Sequence, residues 1–304
     1  MKIIKPKKLK KGDTIGILAV SGKIKDIEKI NNAKKIFISS GYNVTVSETC
    51  FSSHRYMAGS CDKDCVDELH NFFLNKNINA ILCARGGYGT LRLINKIDWN
   101  IIRNNPKIFA GYSDITILLA MMYKKSNLIT FHAPMANGDF GSAINEYTKK
   151  SLINTLEGNT EFIEARYPDV YNSGAANGVL WGGNLSSLVS LCGSDFVPDE
   201  NIILFLEDLN EPSYKIDKML TQLFNTEKIR QNVRGIALGE FTNIKDDYDL
   251  KNIFSEMAHE LKIPVSGGFK ITHEKTKDTV PYGVKVLFDS NQGRITILDK
   301  YLTD

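Results

Sequence analysis

Residues 108–116, Ile-Phe-Ala-Gly-Tyr-Ser-Asp-Ile-Thr, carry an apolar run that passes through a glycine to a serine and an acidic residue. The run predicts a buried strand over Ile108–Tyr112, and the spacing of the apolar residues that follow predicts a helix over Asp114–Lys124. Ser113 therefore lies where a strand ends and a helix begins. Such junctions recur in α/β folds with a mainly parallel sheet.

The same alternation of short apolar runs and longer helical patterns fills the first half of the chain. It predicts a doubly wound, mainly parallel α/β domain over residues 1–138. The other strands predicted here are Thr14–Val20, Asn43–Ser47, Ala80–Ala84 and Leu128–Phe131, and the other helices are Ile24–Ser39, Lys63–Leu74 and Gly89–Ile94.

The periodicity weakens over residues 139–177, where glycines and a proline interrupt it, so this stretch is predicted to be a linker. A C-terminal α/β domain is expected over residues 178–304. Its predicted strands are Gly178–Trp181, Ile202–Leu206, Gly235–Gly239, Pro264–Gly267, Val284–Phe288 and Arg294–Leu298, and its predicted helices are Leu185–Leu191, Ile216–Asn225 and Leu250–Leu261.

Composition limits the function classes. The chain has 304 residues with 38 Lys and Arg against 35 acidic residues, an excess too small for the charge footprint of a nucleic-acid binder. The apolar run Ile15–Val20 is too short for a signal peptide, and the longest later run, Ile115–Tyr123, is far below the ~20 residues that span a bilayer. We expect a cytoplasmic protein that acts on a small or peptidic partner, not on nucleic acid or a membrane.

Five scattered cysteines argue against a disulfide framework, because their number is odd and their spacing irregular. Cys61 and Cys65 could share one helix face, yet no His or Cys pair elsewhere has the spacing of zinc ligands. The sequence therefore predicts reduced thiols and no metal site.

Ser113 has two interpretations. Unpaired N–H groups at a helix N-terminus could stabilise an oxyanion beside its hydroxyl, notably the amide of Asp114. Serine is also a preferred helix cap, and the G-x-S-x-G pattern is not met because Ile115 replaces the last glycine.

A glycine-rich turn, Ala84-Arg85-Gly86-Gly87-Tyr88-Gly89, ends the preceding strand. Both turns should meet at the carboxyl edge of a parallel sheet, where the amides of Gly86 or Gly87 could complete an oxyanion hole with Asp114. Phosphate binding and an ordinary tight turn are the alternatives, although neither phosphate-loop pattern is present.

A nucleophilic serine needs a base and a carboxylate that orients it. Five histidines are candidates for the base, and His132, beside Pro134, and His273, in a long polar loop, fit a pocket better than His54, His70 and His259. Glu207 follows the apolar strand Ile202–Leu206, with Asp208 and Glu211 as rivals. Solvated charges at a strand end are the alternative for all three acids.

Taken together, these residues resemble the serine LD-carboxypeptidases, specifically the muramoyl-tetrapeptide carboxypeptidase branch, over essentially the whole chain. The segments that carry the resemblance are Lys11-Gly12-Asp13, Ala58-Gly59, Arg85-Gly86-Gly87-Tyr88-Gly89, Gly111-Tyr112-Ser113-Asp114-Ile115-Thr116, Phe131-His132-Ala133-Pro134-Met135, Trp181-Gly182-Gly183-Asn184-Leu185, Leu206-Glu207-Asp208, Tyr214-Lys215-Ile216-Asp217-Lys218-Met219-Leu220 and the loop from His273 to Gly283.

The resemblance implies a triad of Ser113, His273 and Glu207, with the nucleophile on the first domain and its partners on a C-terminal domain of the swivelling type with a barrel-like sheet. It also implies a cofactor-free, cytoplasmic homodimer that removes the terminal D-alanine from murein tetrapeptides. Arg85, Tyr88 and His132 are candidates for contact with substrate. For Arg85 the reason is the bidentate fit of guanidinium to carboxylate, and solvated or structural roles are the alternative for Arg85 and Tyr88.

Two departures from the family pattern affect the fine substrate preference. Thr272 precedes His273 where the family has glycine, and Ala133 stands between His132 and Pro134 where glycine is frequent. The related microcin-immunity branch, which hydrolyses peptidyl or aminoacyl nucleotides, stays an alternative. A non-catalytic two-domain protein that closes on a small ligand is the alternative of another class.

Overall fold

The computed structural model describes residues 2–244 and 250–304. Its strands, in chain order, are β1 Thr14–Leu18, β2 Asn43–Val46, β3 Ser53–His54, β4 Met57–Ala58, β5 Ala80–Cys83, β6 Ile108–Gly111, β7 Thr130–His132, β8 Phe162–Glu164, β9 Asp169–Asn172, β10 Ala175–Asn184, β11 Ile202–Leu209, β12 Val233–Thr242, β13 Val265–Gly267, β14 Val280–Tyr282, β15 Lys285–Asp289 and β16 Arg294–Ile297. Its α-helices are α1 Ile27–Ser39, α2 Asp62–Leu74, α3 Trp99–Asn104, α4 Thr116–Ser126, α5 Ala136–Asp139, α6 Glu146–Leu156, α7 Leu185–Val189, α8 Ser213–Phe224, α9 Glu227–Asn232 and α10 Leu250–Leu261. Among the described helices, none is both long and apolar enough to cross a membrane.

The first sheet has the strand order β14-β7-β6-β5-β1-β2. Its five strands from β7 to β2 are parallel, and β14 is antiparallel to β7. The chain leaves β1 for β2 on one side and returns to β5 on the other, so the connections reverse direction between β1 and β5. Loops diverge at such a point and leave a ligand crevice at the carboxyl edge. This sheet confirms the predicted doubly wound fold class.

The second sheet has the order β8-β16-β15-β10-β11-β12-β13-β9, with β8 and β9 at its edges. Strands β10 to β13 are parallel and lie at its centre, and antiparallel strands flank them. Every residue of β11 except the last is buried, which explains its continuous apolar run from Ile202 to Leu206. In this register Glu207 lies opposite Asn184, where β10 ends.

The two sheets share one hydrophobic core, because β14 comes from the C-terminal half of the chain and pairs with β7. Its Tyr282 is fully buried, with its ring centroid 5.9 Å from Phe205 and 6.5 Å from Trp181 of the second sheet. The outermost strand of the first sheet thereby packs against β10 and β11.

Several local expectations were wrong. The helix predicted over Gly89–Ile94 is only a 3₁₀ turn at Thr90–Arg92, in which the Thr90 amide and hydroxyl are hydrogen-bonded to Asp114. The helix predicted from Asp114 begins with a 3₁₀ turn, Ser113–Ile115, before α4. The end of the predicted loop from His273 to Gly283 forms β14. This places Pro281 on an edge strand, where its missing N–H is tolerated.

Residues 139–177, predicted to be a linker, contain α6, β8 and β9. The two strands join the second sheet at its opposite edges, and α6 contacts the loop that follows β13. The domain boundaries at 138 and 178 stay a prediction.

Candidate active site

Ser113 lies two residues after the end of β6 and has a backbone φ of +63°, in the left-handed region that non-glycine residues seldom adopt. This conformation costs on the order of 1–3 kcal/mol and persists only where the surroundings hold it. Here the Ile115 amide donates to the Tyr112 carbonyl at 3.2 Å, and the Ala133 amide donates to the Gly111 carbonyl at 3.1 Å. A strained strand-to-helix turn of this kind presents its side chain at the sheet edge, as in nucleophile elbows.

Hydrogen bonds of Asp114 hold the turn that contains Ser113 in place. Its carboxylate accepts hydrogen bonds from the Ser21 hydroxyl at 2.6 Å and the Thr90 amide at 3.1 Å, and its carbonyl accepts from the Thr90 hydroxyl at 2.7 Å. Burial raises the pKa of the Asp114 carboxyl, and the bonds from Ser21 and Thr90 oppose that rise. The side chain thus joins the loops that follow β1 and β5 to the turn of Ser113.

Gly86 lies against Ser113. A Cβ atom built on Gly86 would be 2.8 Å from Ser113 Cβ, 2.9 Å from Ser113 Oγ and 3.4 Å from the Asp114 nitrogen. The Gly86 carbonyl accepts from the Gly22 amide at 3.2 Å and from Arg85 Nε at 3.1 Å. Because C=O and N–H of a trans peptide point in opposite directions, the Gly87 amide points away from Gly22 and Arg85. Only glycine leaves the space beside Ser113 open.

Half-buried His273 and buried Glu207 form a pair on the second half of the chain. His273 Nδ1 lies 2.6 Å from Glu207 Oε2, and the Glu207 side chain is 0% exposed. The imidazole packs edge-on against Tyr112, with ring centroids 4.9 Å apart, and so lies beside the residue that precedes Ser113. Within residues 2–244 and 250–304, His273 Nε2 is buried and has no hydrogen-bond partner. Ser113 Oγ therefore makes no hydrogen bond to that nitrogen, although Tyr112 brings the imidazole close to the turn of Ser113.

The rival acids have other contacts. Asp208 accepts hydrogen bonds from the Asn184 side chain and from the Ser186 and Leu209 amides, and burial, followed by the charge of Glu207, raises its pKa. Glu211 forms an ion pair with Lys215. Asp208 therefore anchors the start of α7, and neither acid is the partner of His273.

Three of the other histidines also lie apart from this pair. His54 is exposed on β3, His259 is exposed on α10, and His70 Nε2 accepts from the Asp98 amide at 3.0 Å, where α3 begins. Burial lowers the pKa of His70, and the nearby Asp98 and Asp67 charges oppose that effect.

The three residues expected to contact substrate differ in exposure. Arg85 is half-buried and donates to the Lys23 and Gly86 carbonyls, while Tyr88 is exposed and its ring lies 5.6 Å from that of Tyr56. His132 is 2% exposed and packs between Tyr112 and Phe205. Burial lowers the pKa of His132 to about 4, although the Glu207 charge opposes this, so its ring is neutral at pH 7. Their roles stay predictions.

Two further side chains lie beside the candidate site, and the sequence pattern predicted neither of them. Lys277, from the loop that carries His273, and Asp139, at the end of α5, form a buried ion pair beside Tyr112. A lysine in a polar stretch is normally solvated, so only the tertiary structure singles it out.

Comparison with known proteins finds relatives that match almost the whole chain. Residues 15–133 match the LD-carboxypeptidase N-terminal domain and residues 177–288 match the LD-carboxypeptidase C-terminal domain. A probable murein peptide carboxypeptidase of Bacillus subtilis is 35% identical over 94% of this chain and 92% of its own length. The crystal structure of muramoyltetrapeptide carboxypeptidase from Oxalobacter formigenes is 28% identical with a TM-score of 0.86, covering 95% of this chain and 100% of that one. The structure of MccF in complex with glutamyl sulfamoyl guanosine is 25% identical with a TM-score of 0.89, covering 98% and 99%.

Proposed function

This chain belongs to the LD-carboxypeptidase family and is a serine carboxypeptidase, and we propose that it removes the terminal D-alanine from murein tetrapeptides through a triad of Ser113, His273 and Glu207. The 2.6 Å contact between His273 Nδ1 and Glu207 Oε2 is the observation that carries the triad. The relatives described as murein peptide and muramoyltetrapeptide carboxypeptidases support the substrate class. The proposal includes a cytoplasmic, homodimeric enzyme of cell-wall recycling that needs no cofactor.

In the proposed reaction, Glu207 holds the Nδ1–H tautomer of His273, so that Nε2 accepts the Ser113 proton. Ser113 Oγ attacks the carbonyl carbon between the L-centre of the diamino acid and D-alanine, and the amides of Asp114 and of Gly86 or Gly87 donate to the oxyanion. The protonated His273 then gives its proton to the leaving amine, and D-alanine departs. Water that His273 deprotonates hydrolyses the acyl-enzyme and restores Ser113.

Release of D-alanine from a purified murein tetrapeptide tests this proposal. Ser113→Ala should lower kcat by at least about 10⁴-fold with an unchanged circular dichroism spectrum, because a triad acts as a unit. Ser39→Ala, at an exposed position on α1, is the matched control and should retain full activity. A tetrapeptide that ends in L-alanine should not be cut. Near-normal turnover by Ser113→Ala would exclude the assignment.

Hydrolysis of an aminoacyl nucleotide is the second candidate function, because the MccF complex covers almost the whole chain at a TM-score of 0.89. The higher identity to the murein peptide carboxypeptidase relative favours the murein substrate. Parallel assays with murein tetrapeptide and an aminoacyl sulfamoyl adenylate separate the two. Preferential cleavage of the adenylate would move this chain to the microcin-immunity branch.

A further inference from the structure

We propose that the buried ion pair of Lys277 and Asp139, together with the Tyr112 hydroxyl, positions His273 over Ser113 by joining the two halves of the chain. This inference rests on the proposed function, because it concerns the base of the same triad. Lys277 and Asp139 are positioning residues, since they act through Tyr112 and the loop of His273.

The contacts within the pair are short and sheltered from water. Lys277 Nζ lies 2.7 Å from Asp139 Oδ1, and the two side chains are 3% and 7% exposed. The same ammonium donates to the Tyr112 hydroxyl at 2.9 Å and lies 4.0 Å from the centroid of the Tyr112 ring. Charged side chains are rarely buried this deeply unless they are paired, so the three groups form one polar cluster inside the protein.

Each member of the cluster is anchored to a different part of the site. Asp139 ends α5, which follows β7, and its second oxygen accepts from the Met135 amide at 2.7 Å. Tyr112 directly precedes Ser113, and Lys277 lies four residues after His273. The cluster therefore joins the turn of the nucleophile, the end of the first sheet and the loop of the base.

Contacts with α6 hold the backbone around Lys277. The Thr148 hydroxyl donates to the Lys275 carbonyl at 2.7 Å and accepts from the Lys277 amide at 3.0 Å. The Ser151 hydroxyl accepts from the Thr279 amide at 2.8 Å. With the main chain fixed on α6 and the Lys277 side chain fixed on Asp139, little freedom remains for the loop that carries His273.

Tyr112 contacts both Lys277 and the imidazole of His273. Its ring meets the His273 ring edge-on at 4.9 Å, while its hydroxyl contacts Lys277. Burial raises the pKa of Tyr112 well above its ordinary value, and the nearby Asp139 and Glu207 charges raise it further, so the phenol stays protonated. The neutral Tyr112 ring thus lies between the Lys277 ammonium and the imidazole, and this contact restrains the orientation of the His273 ring.

The test uses the double variant Lys277→Met/Asp139→Leu, which removes both buried charges and leaves neither one unpaired. Buried ion pairs replaced by apolar residues of similar volume commonly keep the fold. We expect kcat for D-alanine release to fall about 100-fold with KM nearly unchanged, because small displacements of a reacting group cost about that much. Reaction of Ser113 with a small fluorophosphonate should slow in parallel, since it needs the base and not the peptide pocket. Lys275→Met, at an exposed position on the same loop, is the matched control and should behave as wild type.

A folded double variant with wild-type kcat and labelling rate would overturn the inference. If the double variant does not fold, Tyr112→Phe, which keeps the ion pair and removes only the hydroxyl that Lys277 contacts, is read in the same way. Ser113→Ala separates this inference from the proposed function. An active Ser113→Ala enzyme would refute the triad itself, whereas an inactive one alongside a fully active double variant would refute only the positioning role.

Discussion

Gly86→Ala should disable the site without unfolding the protein, because the added methyl group meets Ser113. The new carbon would lie 2.8 Å from Ser113 Cβ, whereas unstrained carbon atoms approach to about 3.5 Å, so the two must separate by about 0.7 Å. The Gly86 carbonyl is tied to Gly22 and Arg85, so much of that movement falls on Ser113. A 1 Å misplacement costs about 100-fold in rate, so we expect kcat to fall roughly 10- to 100-fold, or about 1.4–2.7 kcal/mol of barrier.

The assay compares kcat for D-alanine release with the rate of fluorophosphonate labelling, both measured well below the unfolding temperature. Both rates should fall, because the displaced atom is the nucleophile itself. Gly138→Ala is the matched control, since a Cβ atom there meets nothing within 4 Å and the backbone φ is not in the left-handed region. A folded Gly86→Ala enzyme with wild-type kcat would refute the close approach of the glycine loop to the nucleophile.

Two further predictions concern the histidines. Glu207→Gln should lower kcat by about 10⁴-fold with little change in KM, because the amide no longer holds the Nδ1–H tautomer of His273, and steady-state kinetics at pH 7 check this. A fall of less than tenfold would remove Glu207 from the triad. The depressed pKa of His132, about 4 against about 6.5 when unfolded, means that its contribution to stability is present above pH 6.5 and is lost as the pH falls toward 4. The free energy of unfolding, measured with urea, should therefore fall between pH 7 and pH 4.5 by roughly 2 kcal/mol less in His132→Phe than in wild type. An equal fall in the two proteins would contradict the buried neutral imidazole.

The fold class was predictable because the strands of the first sheet are nearly continuous apolar runs that alternate with helices. The secondary-structure predictions that were wrong concern segments whose contacts are with residues distant in sequence. The three residues of β14 form a strand by pairing with β7, and the turn found at Thr90–Arg92, where a helix was expected, is hydrogen-bonded to the buried carboxylate of Asp114. Neither effect leaves a local periodicity.

Less of the site than of the fold could be predicted from local patterns. Local patterns favoured a helix cap over a nucleophile for Ser113 and left His132 and His273, with three acids, as the better candidates for its partners. The family resemblance chose among them. The structure adds that His273 pairs with Glu207, whereas Asp208 and Glu211 have other partners. The role of Ser113 as nucleophile stays a prediction. Lys277 and Asp139 were missed because a buried cross-chain ion pair is a property of the assembled structure.

The pairing of β14 with β7 has a consequence for biosynthesis. Its partners His132 and Val280 are separated by 148 residues (280 − 132), so a ribosome completes almost the whole chain before this edge of the first sheet can be covered. Until then the nascent N-terminal half exposes an unpaired strand, the kind of edge that recruits other chains into aggregates. A chain truncated before residue 280 would keep that exposed edge permanently. The last stretch of the chain is therefore needed to cover this edge of the first sheet.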